Sequence, residues 1–492
     1  MRLQHVQYKY LVAAAFLFGI FMDLMDLTIV NVALPKLGSI FHAGNDTLEW
    51  VVTGYLLSLA VWIPASGWIG DRFGTKKTFM FALAAFTAGS ALCGLSQSAG
   101  QLIAFRILQG VGGGMMTPVG TAMLFRAFPP RERARASLIL TIPTVIAPAI
   151  GPIIGGWLVD DVSWRWIFYV NVPIGIVGFL FTAWFIKEHS EPTTGGFDLW
   201  GFLLSGAGLA LVLYSLSRGP DDGWGATNVA GTGIAGIVCF ILLVIVELRS
   251  VQPMLDLHLI KDRMFRNANI VLFASSASLI GVLFLLTLFL QELRGYSAIA
   301  TGLILLPQAL GVVVFAQVSG RLYPIVGPRR LLAVALALFA ASSALFLCLG
   351  LNTNVWWIAA IMFIRGIAMA FTFIPLQAAT FSTISQTSMG RASSLFNTNR
   401  QVGASVGVAI LATVLIEQVK SHVHDAMAAA VPAADGAAAR EGTLLGFHDA
   451  FLAAVIVGVI GTFFAFLIHD EDAAETMHRA GAGEMANAEA AV

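Results

Sequence analysis

Long apolar runs alternate with short polar connections along almost the whole chain of 492 residues. A helix that crosses a bilayer needs about 20 mainly apolar residues, and fourteen runs are long enough. These runs are residues 11–34, 49–69, 79–98, 101–124, 136–158, 165–186, 199–217, 228–248, 268–290, 300–320, 331–350, 355–377, 393–416 and 447–468. The pattern predicts an all-α integral membrane protein with 14 transmembrane helices, and the even number places both termini on one side of the membrane.

The composition excludes a large water-soluble protein. Hydrophobic residues make up 58% of the chain and charged residues only 11%, whereas soluble domains carry about 25% charged residues. The formal net charge is zero, so we expect no nucleic-acid partner. The three cysteines are far apart inside apolar runs, and no CxxC, HExxH or P-loop motif is present. We therefore expect no metal site, no cofactor and no enzymatic activity.

The basic residues predict the orientation of the chain. Of the 28 Lys and Arg residues, 19 fall on the side of the termini, six on the opposite side and three inside the runs. Cytoplasmic loops of membrane proteins carry the excess of Lys and Arg. We therefore expect both termini in the cytoplasm and the protein in the cytoplasmic (inner) membrane.

An internal repeat divides the chain into two halves. The string GWIGDRFGTKK (67–77) follows the second run, and GRLYPIVGPRR (320–330) follows the tenth run. Each string begins with a glycine that recurs seven residues later. Repeated halves with a site between them are common in secondary transporters. The repeat therefore predicts two six-helix bundles and an inserted pair of helices.

The predicted divisions are a six-helix bundle over 1–186, two extra linking helices over 187–262, a second six-helix bundle over 263–470 and a disordered cytoplasmic tail over 471–492. Within the second bundle, the Ala-rich segment 418–446 is expected to form a long outer loop. Because alanine favours helix, a helical conformation of this segment and of the tail remains the alternative.

Two aspartates stand inside the first run, in FMDLMDLTIVNVALP. Asp23 and Asp26 are three residues apart and share one face of a helix. A carboxylate in the hydrocarbon region must face protein or water, and burial favours its protonated form, which suits a proton carrier. A hydrogen bond that only packs the bundle is the alternative. Both aspartates, with Asn31 and Tyr55, are also our candidates for substrate binding.

Arg106 lies early in the fourth run, in RILQGVGGGMMTP. At a rise of 1.5 Å per residue, Arg106 is about 9 Å, and Asp26 about 12 Å, from the outer end of its own helix. These similar depths predict that Arg106 pairs with Asp26 across the bundle. The pair can be a structural salt bridge, a proton-dependent switch, or both.

Two further strings, 67–77 and APAIGPIIGG, contain glycines that are candidates for a role in conformational change. In the 67–77 connection, Asp71 can pair with the N-terminus of a neighbouring helix, and the cations suit an anionic inner leaflet. In APAIGPIIGG, Gly151 and Gly155 let a partner helix approach closely, while two prolines kink and stiffen the segment. Simple anchoring and simple packing are the alternatives to a gating role.

Together these strings resemble the major facilitator superfamily, and within it the fourteen-helix drug:proton antiporters of the EmrB/QacA branch. The resemblance extends over residues 10–468 and includes SWRWIFYVNVPIG (163–175) and FDLWG (197–201). The matching positions are Gly67, Asp71, Arg72, Gly74 and Lys76 for the gating motif A; Arg106 and Gly110 for motif B; Gly151, Pro152, Gly155 and Gly156 for the antiporter motif C; and Asp26, Thr28, Asn31 and Pro35 for the first-helix motif.

Some positions depart from the family pattern. Thr75 stands where motif A usually has an arginine, and Pro324 stands where the second copy would have its aspartate. Arg365 and Arg400 lie inside runs of the second half, where no acid accompanies them in a run's interior. We expect Asn397, Asn399, Gln401 and backbone carbonyls to be the partners of Arg400, and we assign proton handling to the first half.

The resemblance implies proton-coupled export of amphipathic, often cationic, drugs, driven by the proton gradient and leading to antibiotic resistance. The expected partners are a small amphipathic substrate, protons and the lipid bilayer. In a Gram-negative host, a periplasmic adaptor and an outer-membrane channel would join them. Export of a lipid or lipoconjugate on the same scaffold is the alternative, and a membrane receptor without a transport cycle is less favoured because of the buried charges.

Overall fold

The computed structural model describes residues 7–191, 196–250, 253–429 and 435–477. These residues form fifteen α-helices, and no strand occurs among them. In chain order the helices are α1 (Tyr8–Phe41), α2 (Asn45–Phe73), α3 (Thr75–Leu95), α4 (Ala99–Ala127), α5 (Arg133–Trp157), α6 (Trp166–Tyr169), α7 (Asn171–Phe185), α8 (Leu199–Asp222), α9 (Thr227–Arg249), α10 (Arg263–Leu288), α11 (Ala298–Val326), α12 (Pro328–Ala344), α13 (Val355–Thr380), α14 (Met389–Ala429) and α15 (Asp435–Ala465).

All fourteen predicted runs correspond to helices, with α6 and α7 together forming the sixth. Thirteen helical segments of the described chain are long and apolar enough to cross a membrane. The fourteenth is α4, whose 29 residues include Arg106, two glutamines and several glycines that lower its hydropathy. It nevertheless packs between α2 and α3 in the interior of the first half. The chain is therefore an all-α integral membrane protein.

The helices pack as two groups with a pair beside them. α1–α7 contact one another, α10–α15 contact one another, and the halves meet mainly where α2 packs on α14 and α5 packs on α11. The inserted helices α8 and α9 pack on each other, and α8 also contacts α2 and α14. The residue boundaries given above for the two bundles stay predictions.

One end of the bundle holds the connections after α2, α4, α7, α9, α11 and α13 together with the first and last described residues, 7 and 477; we call it the terminal face. The sequence repeat is visible there. Gly74 (φ +102°) ends α2 and Gly327 (φ +87°) ends α11, each in the left-handed region that favours glycine. Seven residues earlier, Gly67 lies against the Gly390 backbone of α14, and Gly320 faces α5. The two strings therefore occupy corresponding places.

Two expectations outside the helical runs need correction. Most of segment 418–446 is helical, because α14 continues to Ala429 and α15 begins at Asp435; 430–434 lie outside the described residues. This is the conformation that its alanines favour. The tail begins with an ordered 3₁₀ helix, Asp470–Thr476, instead of disorder. Within it, Asp472 accepts two hydrogen bonds of 2.8 Å from Arg263, and residues 478–492 lie outside the described chain.

Candidate functional site

A buried ion pair joins α1 to α4 in the interior of the first half. Arg106 Nη1 donates to Asp26 Oδ2, and the two side chains are 1% and 0% exposed. Arg106 Nε also donates to the Val51 carbonyl of α2 at 3.1 Å. The pairing predicted from helix depth is therefore present. Because the pair is out of water, loss of either charge would leave the other uncompensated.

Neutral polar groups complete the surroundings of Asp26. Its Oδ1 accepts hydrogen bonds from Gln109 Nε2 at 3.0 Å and from Asn171 Nδ2 at 3.2 Å. Gln109 Oε1 in turn accepts from Arg106 Nη1 at 2.8 Å. Asn171 also donates to Ser90 of α3. Both oxygens of Asp26 are thus occupied by groups from α4 and α7.

Asp23 has different surroundings from Asp26, although only three residues separate them. Asp23 Oδ1 accepts a hydrogen bond of 2.6 Å from Tyr55 Oη, and its Oδ2 accepts one of 3.0 Å from Thr117 Oγ1. It also lines a cavity between the two halves, which Asp26 does not reach. The sequence pattern predicted one shared face, but in the structure one acid faces the cavity and the other faces the interior of the first half.

Tyr55 links the two acids. Its hydroxyl bonds Asp23, and its ring lies under the Arg106 guanidinium, with Arg106 Cζ 4.0 Å from the ring centroid. Such stacking of a cation on an aromatic face is attractive. Tyr55 is fully buried. A continuous line of contacts therefore runs from the cavity through Asp23, Tyr55 and Arg106 to Asp26.

The cavity has a volume of about 210 Å³ and both halves contribute to its wall. Eleven of its twenty lining residues are apolar and nine are polar or charged, among them Asp23 of α1 and Arg400 of α14. Leu24, Leu27, Met369 and Phe373 are among its apolar lining residues. A concave pocket that combines apolar side chains with polar groups is the usual form of a site for a small organic ligand.

Of the four residues predicted to bind substrate, only Asp23 lines this cavity. Asp26 and Tyr55 are fully buried behind it. Asn31 is exposed, and its amide donates back to the Leu27 carbonyl at 3.4 Å. The reason is geometric, since Asn31 lies about a turn and a half beyond Asp26 along α1.

Arg400 does not have the expected partners. Asn397 donates to the Ser393 carbonyl and Asn399 to the Asn269 carbonyl, and within the described residues Arg400 makes no hydrogen bond or ion pair. Arg400 shares the cavity with Asp23, and the charge of each acts on the other. The cation of Arg400 therefore faces the acid of the first half across the cavity.

The second half has a buried arginine of its own. Arg365 Nη1 of α13 donates to Ser343 Oγ at 2.6 Å, and its Cζ lies 4.1 Å from the Phe339 ring centroid. It is 1% exposed, and no acid contacts it within the described part of the chain. The absence of an acid agrees with what the sequence indicated for the second half.

The motif A residues lie at the terminal face. Asp71 accepts a hydrogen bond of 2.8 Å from Arg126 of α4 and packs against Gly390 in the first turn of α14. A carboxylate at a helix N-terminus is stabilising. Gly67 lies against the same turn of α14. Asp71 and Gly67 therefore join the first half to the second half.

Lys76 and Gly74 anchor the start of α3. Lys76 Nζ donates to the Ala183 carbonyl at 2.7 Å, and its backbone N–H donates to Glu188 Oε1 at 3.0 Å. Gly74 forms the turn before it, and Arg72 is exposed on the last turn of α2. Motif A therefore contains both a contact between halves and a helix cap.

Further contacts close the terminal face between the halves. Ser393 Oγ donates to the Pro118 carbonyl at 2.7 Å, and Arg126 Nε donates to the Gln386 carbonyl at 3.0 Å. Arg133 donates to the Phe381 carbonyl, and the Phe125 and Phe381 rings are 4.5 Å apart. The cavity is therefore closed off from this face in the structure.

The glycines of motifs B and C permit close helix approach. A Cβ on Gly110 would be 2.8 Å from the Tyr55 carbonyl oxygen, so α4 could not pack on α2 as it does. A Cβ on Gly155 would be 2.8 Å from Ile29 Cγ1 of α1. Gly151 faces the same helix, while Gly156 and Pro152 of α5 face α11 of the second half. α5 therefore packs closely on both halves.

Several residues of the site escaped the sequence analysis. Gln109, Thr117 and Asn171 contact the two acids. Gln109 lies three residues after Arg106, so it lies beside Arg106 on the surface of α4. The sequence shows that these residues are polar within apolar runs, and this is the signal that could have found them. Their hydrogen-bond partners lie on other helices, and the spacing of residues along one helix does not show which other helix it contacts.

The chain is similar to known membrane proteins. The chain matches the Major Facilitator Superfamily over residues 16–408. It is 34% identical over 401 residues to a multidrug resistance protein B homolog of Mycobacterium tuberculosis, covering 80% of this chain and 74% of the relative. It is 33% identical to a putative multidrug resistance protein MdtD of Pectobacterium carotovorum, covering 81% of this chain and 85% of that protein.

A solved structure shares the fold. The crystal structure of the human organic anion transporter MFSD10 (TETRAN) superimposes with a TM-score of 0.65 at 14% identity, covering 93% of this chain and 99% of that chain. At this identity the likeness shows the fold alone. With the family match over most of the chain and the two related halves described above, the protein is a member of the major facilitator superfamily of membrane transporters.

Proposed function

We propose that this transporter exports amphipathic, often cationic, drugs or other toxic compounds across the cytoplasmic membrane in exchange for protons. The observation that carries the proposal is the line of contacts from the cavity to the buried pair: Asp23 faces the cavity, and Tyr55 connects it to Arg106 and Asp26. Binding of a substrate in the cavity can thereby affect Asp26 through these contacts. The multidrug names of the relatives support the substrate class.

Proton coupling requires one group whose proton affinity changes during the cycle. In general, a cation beside a buried carboxylate favours the charged form, whereas an acid that loses such a partner is desolvated and takes up a proton. Tyr55 contacts both Arg106 and Asp23. A change in the charge or hydrogen bonding of Asp23 can therefore move Tyr55 and, with it, Arg106. We therefore assign Asp26 as the proton-coupling acid and Arg106 as its partner.

Substrate charge is assigned to Asp23. Asp23 and Arg400 line the same cavity, and their charges interact. A cationic substrate bound there would compete with Arg400 for the electrostatic attraction of Asp23. A neutral amphipathic substrate interacts mainly with the apolar wall. The protein thus accepts both kinds of compound, and Asp23 adds affinity only for cations. The lipid export alternative is not favoured, since the relatives are named for multidrug resistance.

The proposal places the terminal face in the cytoplasm. With 19 of 28 basic residues on that side, the chain follows the positive-inside rule. The contacts of Asp71, Arg126 and Ser393 then close the cytoplasmic entrance. Their opening would admit substrate from the cell interior. A periplasmic adaptor and an outer-membrane channel would join the transporter in a Gram-negative host.

The test is export of a fluorescent cationic dye from cells that overexpress the protein, together with a drug-susceptibility panel, each with and without a proton uncoupler. We expect dye export and raised drug tolerance that the uncoupler abolishes. Glu49→Gln is the control, because Glu49 is an exposed acid (53%) near the start of α2 that pairs with Arg218. Export that persists with the uncoupler would contradict proton coupling, and no export of any compound in the panel would contradict the substrate class.

A further inference from the structure

The inserted helices α8 and α9 carry two acids that converge at their ends on the terminal face. Asp198 precedes α8, where its Oδ1 caps the helix by accepting from the Gly201 N–H at 2.8 Å. Glu247 lies in the last turn of α9 and is fully buried, and its Oε1 accepts from the Leu255 N–H at 3.1 Å. Neither acid takes part in the site described above.

The two carboxylates approach each other over Gly201. A Cβ on Gly201 would be 2.7 Å from Asp198 Oδ2 and 2.7 Å from Glu247 Oε1. The space that this glycine leaves is therefore bounded by an oxygen of each acid. The two oxygens are therefore at most about twice 2.7 Å apart, which one water molecule can span.

Each acid also has an oxygen without a partner. Asp198 Oδ2 and Glu247 Oε2 are both buried, and within the described residues neither accepts a hydrogen bond. A buried carboxylate oxygen without a donor is costly. Since Glu247 is itself fully buried, an unpaired acceptor there points to a missing donor. A proton on one of the two acids is such a donor.

The charges around Glu247 do not offset the pair. The charged side chains that act on it are Asp198 of the α8 cap, Asp256 of the connection after α9, and Arg391 of α14, and none of them forms an ion pair with it. On α2, the uncharged Trp68 packs in one apolar cluster with Leu243 of α9 and with Leu255. Two like charges in a buried site cannot both stay ionised at low cost.

A metal ion is a poorer explanation than a proton. Among the described residues, no group of three His, Cys, Asp or Glu side chains is arranged to hold a metal. A divalent hard cation needs six or more oxygen ligands, and two acids with two free oxygens fall short. A proton needs only one oxygen to bind and a second to accept the hydrogen bond.

We propose that Asp198 and Glu247 form a proton-binding site at the terminal-face end of the inserted helix pair, separate from Asp23 and Asp26. One proton from the solvent binds to a carboxylate of the pair, giving a carboxylic acid that donates to the other carboxylate directly or through one water molecule. Asp198 is only half-buried, so the proton enters through it. Protonation holds the ends of α8 and α9 together, next to Trp68 on the motif A helix α2.

The site can be tested by infrared difference spectroscopy of the purified protein in lipid nanodiscs during a pH titration, without substrate. We expect a carboxylic acid C=O band that grows as the pH falls and that Glu247→Gln removes. Asp198→Asn keeps the helix cap, since Asn caps as well as Asp. It also removes the like charge, so the band should then form only at lower pH. Asp26→Asn and Glu49→Gln should leave the band in place.

Several outcomes would overturn the proposal. The band could survive in Glu247→Gln, or it could be lost in Asp26→Asn, which would assign it to the other site. If replacing sodium and potassium by an organic cation at constant ionic strength shifted the band in the wild-type protein, the pair would bind a metal cation. Gly201→Ala provides a second variant, because its methyl group would separate the two carboxylates and should weaken the band without removing an acid. An unchanged band in Gly201→Ala would contradict the shared proton.

Discussion

Arg106 and Arg365 lie in corresponding helices of the two halves and differ in what faces them. Both are 1% exposed, and both stack on an aromatic ring, Arg106 on Tyr55 at 4.0 Å and Arg365 on Phe339 at 4.1 Å. Arg106 forms an ion pair with Asp26, whereas Arg365 donates to the hydroxyl of Ser343. The aromatic support is common to both halves, and the acid is present only in the first.

This difference separates a switch from a structural contact. A carboxylate can exchange its arginine for a proton and remain neutralised, because a proton compensates its charge as the arginine does. A serine hydroxyl has no such second state at ordinary pH. We therefore expect only the first half to couple a proton to a conformational change, as proposed above, and Arg365 to hold helices of the second half together throughout the cycle.

The two halves also differ at the terminal face. Glu188, after the last helix of the first half, accepts from backbone N–H groups at the start of α3. Asp470, after the last helix of the second half, accepts from the Arg329 N–H at the start of α12 at 2.8 Å. Both halves thus keep a helix-capping acid. Only the first half adds Asp71, where the second half has Pro324.

The largest difference between the halves is expected from Arg106→Gln and Arg365→Gln. Removing Arg106 leaves Asp26 as an uncompensated buried acid, a cost of about 3–5 kcal/mol that protonation relieves permanently. Proton-driven dye transport in proteoliposomes should fall at least about tenfold, a barrier change of about 1.4 kcal/mol. Arg365→Gln should keep most of the transport. Equal losses in the two variants, with equal amounts of inserted protein, would show that the halves do not differ in this way.

The next largest effect is expected at motif A. Asp71→Asn weakens the contacts with Arg126 and with the first turn of α14, and so changes the balance between conformations. Transport of all substrates should fall together, while binding measured in detergent stays nearly intact. Pro324→Ala, at the matching place of the second half, should change neither. A loss restricted to some substrates would assign Asp71 to recognition instead of conformational exchange.

A third comparison concerns the close approach of α5 to α1. Gly155→Leu places a side chain where even a Cβ would be 2.8 Å from Ile29 Cγ1, and overpacking of this kind costs about 1–3 kcal/mol. We expect the transport cycle to stop. Gly302→Ala on α11 is the control, because its Cβ would be 3.8 Å from Pro152, an ordinary contact. Normal dye export by Gly155→Leu would show that this approach is not required.

The smallest effects are expected from the two helix caps. Glu188→Gln and Asp470→Asn each remove the charge that faces a helix N-terminus but keep an amide oxygen that accepts a hydrogen bond, so the change should cost about 0.3–1 kcal/mol of stability. Both should lower the thermal midpoint in detergent, by similar amounts, with transport largely kept. If only Glu188→Gln destabilises the protein, the two acids occupy corresponding positions but do not contribute equally to stability.

The sequence predicted the features that depend on local pattern. The fourteen helices follow from the length of apolar runs, and the Asp26–Arg106 pair follows from helix depth. What it could not predict depends on how helices rotate and meet. Asp23 and Asp26 are close on one helix, yet Tyr55 of another helix separates their surroundings. The partners Gln109 and Asn171, the isolation of Arg400 and the convergence of Asp198 with Glu247 are likewise set by tertiary packing.

The central claim is that Asp26 carries the coupled proton and that Asp23 responds to substrate charge. The most direct measurement is substrate-induced proton release in liposomes containing the wild-type protein, Asp26→Asn or Asp23→Asn, with a cationic and a neutral substrate. Asp26→Asn mimics the protonated acid permanently and should release no protons with either substrate. Asp23→Asn should still release protons with the neutral substrate and respond weakly to the cationic one. Proton release that persists in Asp26→Asn and is lost in Asp23→Asn would reverse the two roles and contradict the account.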